Sequence, residues 1–219
     1  MKNLNTNLIV IAEVGINHNG SLKLAKKLVD IAKKAGADYI KIQNYIPELI
    51  VSKNTRKASY QKKNDKSNDM LSMLRKYHFN FEKTIKLINY CKKKKIKFLS
   101  SPFDEKSFEF LKKNKLNLIK IASGEITNYP LLKLVANYNK KIILSTGMAE
   151  MKEIKNTIKF LCNNGQSKKK ISVLHCTSQY PTKPKDVNLN AMITLKNKLK
   201  LKTGLSDHTK GFEAGICAV

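Results

Sequence analysis

Short apolar runs alternate with longer amphipathic stretches along the whole 219-residue chain, and this alternation constrains the fold more than any other feature. "LIVIAEVG" (8–15) is rich in β-branched residues and reads as a buried strand. "SLKLAKKLVDIAKKAG" (21–36) has helical spacing, which predicts one apolar face of Leu24, Leu28, Ile31 and Ala35. Ser21 is suited to cap its start and Gly36 to end it. "DYIKIQNY" (38–45) is a second strand. The polar stretch 46–69 is too long for a simple connection and predicts a functional loop. From Met70 onward the pattern resumes, with strands at 96–103, 116–123, 141–146, 171–178 and 202–209, each preceded by a helical stretch. Another helix begins near Gly211, after seven strands and six complete helices.

Strict alternation predicts an α/β fold, a parallel sheet covered by helices. A doubly wound open sheet calls for a phosphate-binding glycine pattern after the first strand, and "GINHNG" is not one. A (β/α)8 TIM barrel fits better, because polar residues gather at the C-terminal end of every strand, where such barrels build their sites. If strand ends were polar only because loops are polar, Asp, Asn, Gly and Ser would dominate. Here there are two lysines, two glutamates and a histidine.

The first strand ends in Glu13 and the second carries Lys41 and Gln43, two apart and so on one face. Ser100 and Ser101 end the third, and Lys120, Ser123 and Glu125 the fourth. Ser145 and Thr146 end the fifth; His175, Thr177 and then Tyr180 the sixth; Ser206, Asp207 and His208 the seventh. Lysines with hydroxyls suit a phosphorylated or carboxylated anion. Glutamates beside them suit proton transfer or the hydroxyls of a sugar. A histidine near carboxylates suits a divalent metal or acid–base work. Lys120 also has the alternative of a Schiff-base lysine. His175 and Cys176 are adjacent in a strand, so they point to opposite faces and cannot form a nucleophilic pair; His175 stays open as a pocket-lining residue. His18 reads as fixing the first turn, and His78 as structural or exposed.

Composition narrows the partners. The formal charge is +27, from 43 Lys and Arg against 16 Asp and Glu. The lysines are spread along the chain, there is no Trp, and neither an Arg cluster nor an RNA-binding motif occurs. This favours a solvated lysine surface over nucleic-acid binding, with a field that attracts small anions. No apolar run is long enough to span a membrane, and the N-terminal stretch reads as a strand instead of a signal peptide. The four cysteines show no metal spacing and read as reduced thiols. A cytoplasmic protein with no membrane partner is expected.

The set "IAEVGINHNGSLKLAKKLVDIAKKAGAD", "IKIQNY", "LSSPFD", "IKIASGEITNYPLLKLVA", "ILSTGM", "LHCTSQYPT" and "GLSDHT" closely resembles the sialic acid synthase family, in order and spacing, over nearly the whole chain. The resemblance implies condensation of phosphoenolpyruvate with N-acetylmannosamine or a related hexosamine. The products are a nine-carbon 2-keto acid of the N-acetylneuraminate or legionaminate type and phosphate. It implies a divalent metal, Mn²⁺ or Mg²⁺, polarising the sugar aldehyde. Lys41, Ser101, Lys120, Ser123, Ser145 and Ser206 would then bind phosphoenolpyruvate. Glu13 would handle proton transfer or position water; Gln43, Glu125 and Tyr180 would contact the sugar, with Asn64 in the long loop a further contact. Glu125 joins Glu13 as a catalytic candidate, and His208 would be one of two metal histidines. Ser178 stands where relatives use Asn.

Departures from the family are equally specific. The family's eighth strand, with its second metal histidine, has no counterpart, nor has its C-terminal antifreeze-like domain, which reaches the partner's site in a homodimer. Residues 1–219 are therefore expected to form an incomplete barrel domain of seven βα units with two unpaired strand edges. The other readings are an inactive fragment or anion-binding remnant, and a related phosphoenolpyruvate-dependent sugar-phosphate synthase.

Overall fold

The computed structural model describes residues 8–53, 55–58, 61–62 and 65–219. Seven strands follow one another: β1 (Ile11–Gly15), β2 (Tyr39–Asn44), β3 (Lys97–Pro102), β4 (Leu118–Ile121), β5 (Lys141–Ser145), β6 (Ile171–His175) and β7 (Lys202–Leu205). The helices between them are α1 (Leu22–Lys34), α2 (Pro47–Ile50), α3 (Met70–Tyr77), α4 (Phe81–Lys93), α5 (Glu105–Lys113), α6 (Tyr129–Tyr138), α7 (Met151–Asn163) and α8 (Asn190–Leu199), with α9 (Glu213–Cys217) after β7. Among the described residues no helix is long and apolar enough to cross a membrane.

All ladders are parallel. They form two sheets, β1-β2-β3 and β4-β5-β6-β7, with β3 and β4 side by side but not joined by a ladder. The chain is thus an α/β protein with parallel sheets, in which every strand's C-terminal end lies at the same end of its sheet. Hydrogen bonding does not run as one closed cylinder through the described strands.

The helix starts follow from short polar side chains. Ser21, Asp69, Asn80, Asp104 and Asn128 each accept a backbone N–H from the first turn of α1, α3, α4, α5 and α6. Glu150 and Glu153 close a reciprocal capping box on α7.

Strand side chains facing the helices are apolar, as with Ile40 and Ile42 on β2, Ile119 and Ile121 on β4, and Ile142 and Leu144 on β5, all at most 1% exposed. They pack into two clusters, one beneath β1–β3 with Val29, Phe79 and Leu87, the other beneath β4–β6 with Phe108, Leu131 and Leu161. Because side chains alternate, the opposite face of the same strands carries Lys41, Gln43, Lys120 and Ser145. The core lies between helices and sheet, and the polar groups lie on the other side.

Two local expectations change. The buried face of α1 is Ala25, Val29 and Ala32, while Ile31 is 54% exposed and Ala35 is exposed. Small side chains at 25 and 32 let the helix lie close to the sheet, which turns the larger Leu and Ile residues to its flank. The stretch after β2 carries α2 and, between it and α3, a buried ionic knot. Asp65, 6% exposed, accepts from Lys76 Nζ at 2.7 Å, Tyr77 Oη at 2.8 Å and the Ser67 N–H at 2.8 Å. Lys57, 8% exposed, donates to the Asp65 carbonyl at 2.7 Å and faces its carboxylate at 3.4 Å.

Candidate active site

Glu13 is aimed by a break in the ladder. Between Glu13 and Gly15 the register of β1 against β2 shifts, and Gly15 has φ +53°, a conformation that only glycine adopts at little cost. Glu13 sits opposite Lys41, and its Oε2 is 3.0 Å from Lys41 Nζ. Its other oxygen, Oε1, accepts from Lys120 Nζ at 3.0 Å. Lys120 lies 107 residues further along the chain, on β4 in the other sheet. Lys120 also donates to Ser206 Oγ, 3.3 Å away, just beyond β7. The first, second, fourth and seventh strands therefore converge on one point.

Both lysines are buried, Lys41 at 3% and Lys120 at 7% exposure. Burial lowers the pKa of Lys41; Glu13 opposes that shift, and Lys120 adds to it. Burial alone would raise Glu13, but Lys41 and Lys120 outweigh it and hold the carboxyl below its ordinary range. The centre is a carboxylate shared by two ammonium groups, with a net positive charge.

Around it stand hydroxyls that lack a partner among the described residues. Ser101, 1% exposed, shares a face with Gln43 and Lys41, and its Oγ has no hydrogen-bond partner among the described residues. Ser145, 3% exposed, lies two residues beyond the partner of Lys120 on the same face, and its Oγ is likewise unmatched. A buried hydroxyl without a partner costs about 1–3 kcal/mol. Two of them beside two buried ammonium groups are a donor set lacking its acceptor.

Ser123 and Glu125 belong to a short 3₁₀ turn after β4 and are half-buried. Burial raises the Glu125 carboxyl above its ordinary range; an Asn128 Nδ2 bond at 2.7 Å pulls it down, and the Asp104 charge adds to the rise. The two glutamates are thus pushed in opposite directions.

The expected strand 202–209 ends at Leu205, because after Ser206 donates its N–H to the His175 carbonyl the chain turns away. His208 follows with Nδ1 2.6 Å from the Thr177 carbonyl oxygen. That contact requires a proton on Nδ1, so Nε2 presents a lone pair. Tyr180 Oη lies 3.1 Å from Nε2, with the rings stacked at 4.1 Å, and Ser206 Oγ is 3.5 Å away. Burial lowers the His208 pKa, and its bond to Thr177 opposes this. One imidazole nitrogen is a single metal donor. Among the described residues no group of three or more His, Cys, Asp or Glu could hold a metal ion, so these residues do not make a metal centre by themselves.

The predicted site residues sort clearly. Glu13, Lys41, Lys120 and Ser206 are in direct contact, and Ser206 leads on to His208 and Tyr180. Ser101 and Ser145 flank them from the same strand faces. Gln43 is half-buried on the Lys41 face. Asn64 lies outside the described residues. His175 does not line the site, since it sits on the face opposite Leu174 and Cys176 and contacts the Val187 carbonyl at 2.7 Å. His18 does fix its turn, accepting the Gly20 N–H at 3.0 Å and packing on Phe79.

One positioning residue was missed in the sequence. Gly147, directly after the Ser145–Thr146 strand end, donates its N–H to Cys176 Sγ at 3.1 Å. A Cβ there would lie 2.5 Å from Ser178 Oγ and 2.8 Å from Cys176 Sγ. The signal was a glycine immediately following two strand-end hydroxyls.

Comparison with known proteins gives the family. The chain is 47% identical over 214 residues to an N,N'-diacetyllegionaminic acid synthase of Campylobacter jejuni, covering 96% of this chain and 64% of that protein. It is 41% identical to the enzyme of the same name from Legionella pneumophila, covering 96% and 60%. A crystal structure of the N-acetylneuraminic acid synthetase of Leptospira borgpetersenii, in complex with citrate, superposes with a TM-score of 0.84 at 31% identity, covering 100% of this chain and 72% of that one. The chain thus spans less than two thirds of the curated relatives it matches. Residues 28–219 match the NeuB family model, and the chain belongs to the NeuB family.

Proposed function

We propose that this chain carries the phosphoenolpyruvate half of a nonulosonate synthase, which condenses phosphoenolpyruvate with N-acetylmannosamine or a related hexosamine. The relatives' names favour the 2,4-diacetamido sugar that leads to a legionaminate-type product. The observation that carries the reading is the pair of buried lysines at Glu13, flanked by the unmatched hydroxyls of Ser101 and Ser145. That donor set fits a small molecule bearing several anionic oxygens. We also infer that the seven βα units are part of a (β/α)8 barrel. Convergence of side chains from β1, β2, β4 and the end of β7 on one point supports that curvature.

In this reading Lys41 and Lys120 hold the phosphate and carboxylate charges, and Ser101, Ser123, Ser145 and Ser206 fix their orientation. The enol C3 attacks the sugar aldehyde carbon, forming the new C–C bond while the carbonyl oxygen takes a proton. Water then adds at C2, and phosphate leaves with its bridging oxygen. The opposite environments of the two glutamates support a division of labour. Lys41 and Lys120 favour an ionised Glu13, which accepts the proton of the attacking water, while burial favours the protonated form of Glu125, which donates its proton to the aldehyde oxygen. Gln43 and Tyr180 face the sugar. A divalent metal would find one donor in His208 Nε2 and would supply Lewis-acid polarisation of the sugar aldehyde when bound.

The test is phosphate release from phosphoenolpyruvate, with either sugar and Mn²⁺, by this chain and by a version extended to the relatives' length. Release matched by keto acid in the extended form is expected. A folded extended enzyme that releases none with either sugar overturns the reading.

A further inference from the structure

Glu13 occupies a position unusual for a residue meant to act on a substrate. Its carboxylate already takes one bond from each of the two ammonium groups that the anion needs, at 3.0 Å each. The groups facing it are Lys41 from β2, Lys120 from β4 and, beyond Lys120, Ser206 and His208 after β7. One carboxylate therefore serves two buried cations, while Ser101 and Ser145 still have no partner among the described residues. Mobility is unequal within the trio. The Glu13 side chain is 44% exposed and lies beside a register shift. The lysine side chains are 4% and 9% exposed. The carboxylate is therefore the least packed of the three charged groups.

We propose that Glu13 is the anion site's own stand-in ligand, holding Lys41 and Lys120 together until a substrate anion displaces its carboxylate from both. The proposal rests on the anion-site reading above. Unpaired, two buried ammonium groups would repel each other and pay their full desolvation cost. The stand-in prevents this while the site is empty. Loading then does two things at once: the anion takes over the lysines and the free serine hydroxyls, and the released carboxylate becomes available to take a proton beside C2. The general base is thus freed by the binding of the substrate it acts on, which makes the anion the first substrate to load.

The experiment is calorimetric titration of the full chain with sulfate and with phosphoenolpyruvate, without metal, for wild type, Glu13→Gln and Glu13→Asp. Thermal melts with and without sulfate run alongside. Removing the competing charge should tighten binding of both anions about tenfold in Glu13→Gln. The shorter aspartate, unable to span both lysines, should fall between. Without anion Glu13→Gln should melt below wild type, and saturating sulfate should stabilise it more than it stabilises wild type. Equal or weaker affinity in Glu13→Gln overturns the proposal and leaves the anion-site reading standing. A Glu13→Gln chain that stays unfolded in saturating sulfate also overturns it, because sulfate should replace the carboxylate. Absence of anion binding in every form removes the anion-site reading and the proposal with it.

Discussion

The molecule buries lysines against a carboxylate in two places, and the two differ in their count of donors and acceptors. In the knot after β2, one carboxylate, Asp65, accepts from Lys76, Tyr77 and the Ser67 N–H and faces Lys57 as well. Lys57 is further held by the Asp65 carbonyl. Every polar group of that cluster named here has a partner, so nothing is left for a ligand to do. At the strand ends, one carboxylate serves two buried ammonium groups, and two buried hydroxyls have no partner among the described residues. A satisfied ion cluster fastens a loop, whereas one with surplus donors is built around a molecule that brings acceptors. Burial and charge alone do not separate the two cases.

The largest expected contrast comes from the cations. Lys120→Met in the extended enzyme should weaken phosphoenolpyruvate binding by about a hundredfold, the upper end of a charge-assisted bond's about 1.5–3 kcal/mol. The sugar KM should change little. A change confined to the sugar KM, measured by steady-state phosphate release, would break the comparison on its functional side. Asp65→Asn is the opposite number. It should lower the Tm by several degrees and leave sulfate affinity within about twofold of wild type, as expected for separate sites. The knot should also show in the acid limb. Donation from Lys76 and Ser67 holds the Asp65 carboxyl far below its ordinary value, against the pull of burial. Its contribution is therefore complete above the unfolded-state pKa of about 3.9 and is lost as pH falls below that towards the folded value. Melts from pH 6 to pH 2 should lose this part in Asp65→Asn, and an unchanged acid limb would remove the knot's fastening role.

Much of this arrangement was readable in the sequence, for identifiable reasons. The strands were legible because their helix-facing side is apolar, as with Ile40 and Ile42, whose neighbours Lys41 and Gln43 had to point the other way. The Ser21 cap was legible because capping depends on a spacing of three residues. What stayed hidden depends on contacts far apart in the chain. Nothing local reveals that Glu13 meets Lys120 across 107 residues, or that His208 directs Nδ1 to the Thr177 carbonyl. The buried knot looks like solvated loop in the sequence, because Lys57 and Asp65 sit among polar residues and become interior only when α3 closes over them. The α1 face was misread by about one position, since helical spacing ranks large apolar residues above the alanines that permit close approach.

The smallest effects give the sharpest discrimination, because removing a hydroxyl should have opposite signs in the two clusters. Tyr77→Phe deletes a donor that is already bonded to Asp65 at 2.8 Å. It should cost about 1 kcal/mol of stability and leave anion affinity alone. Ser145→Ala deletes a buried hydroxyl that has no partner among the described residues. The empty protein should then be unchanged or more stable by up to about 1 kcal/mol, since the unmet desolvation cost disappears. Phosphoenolpyruvate should bind up to about tenfold more weakly, because the same hydroxyl is one of its donors. Ser101→Ala should behave in the same way, for the same reason. Denaturant melts and calorimetry on the three variants supply both readouts. If Ser145→Ala and Ser101→Ala destabilise the empty protein as Tyr77→Phe does, their hydroxyls are structural. The strand-end cluster would then belong with the knot, and the surplus of donors would no longer mark a binding site.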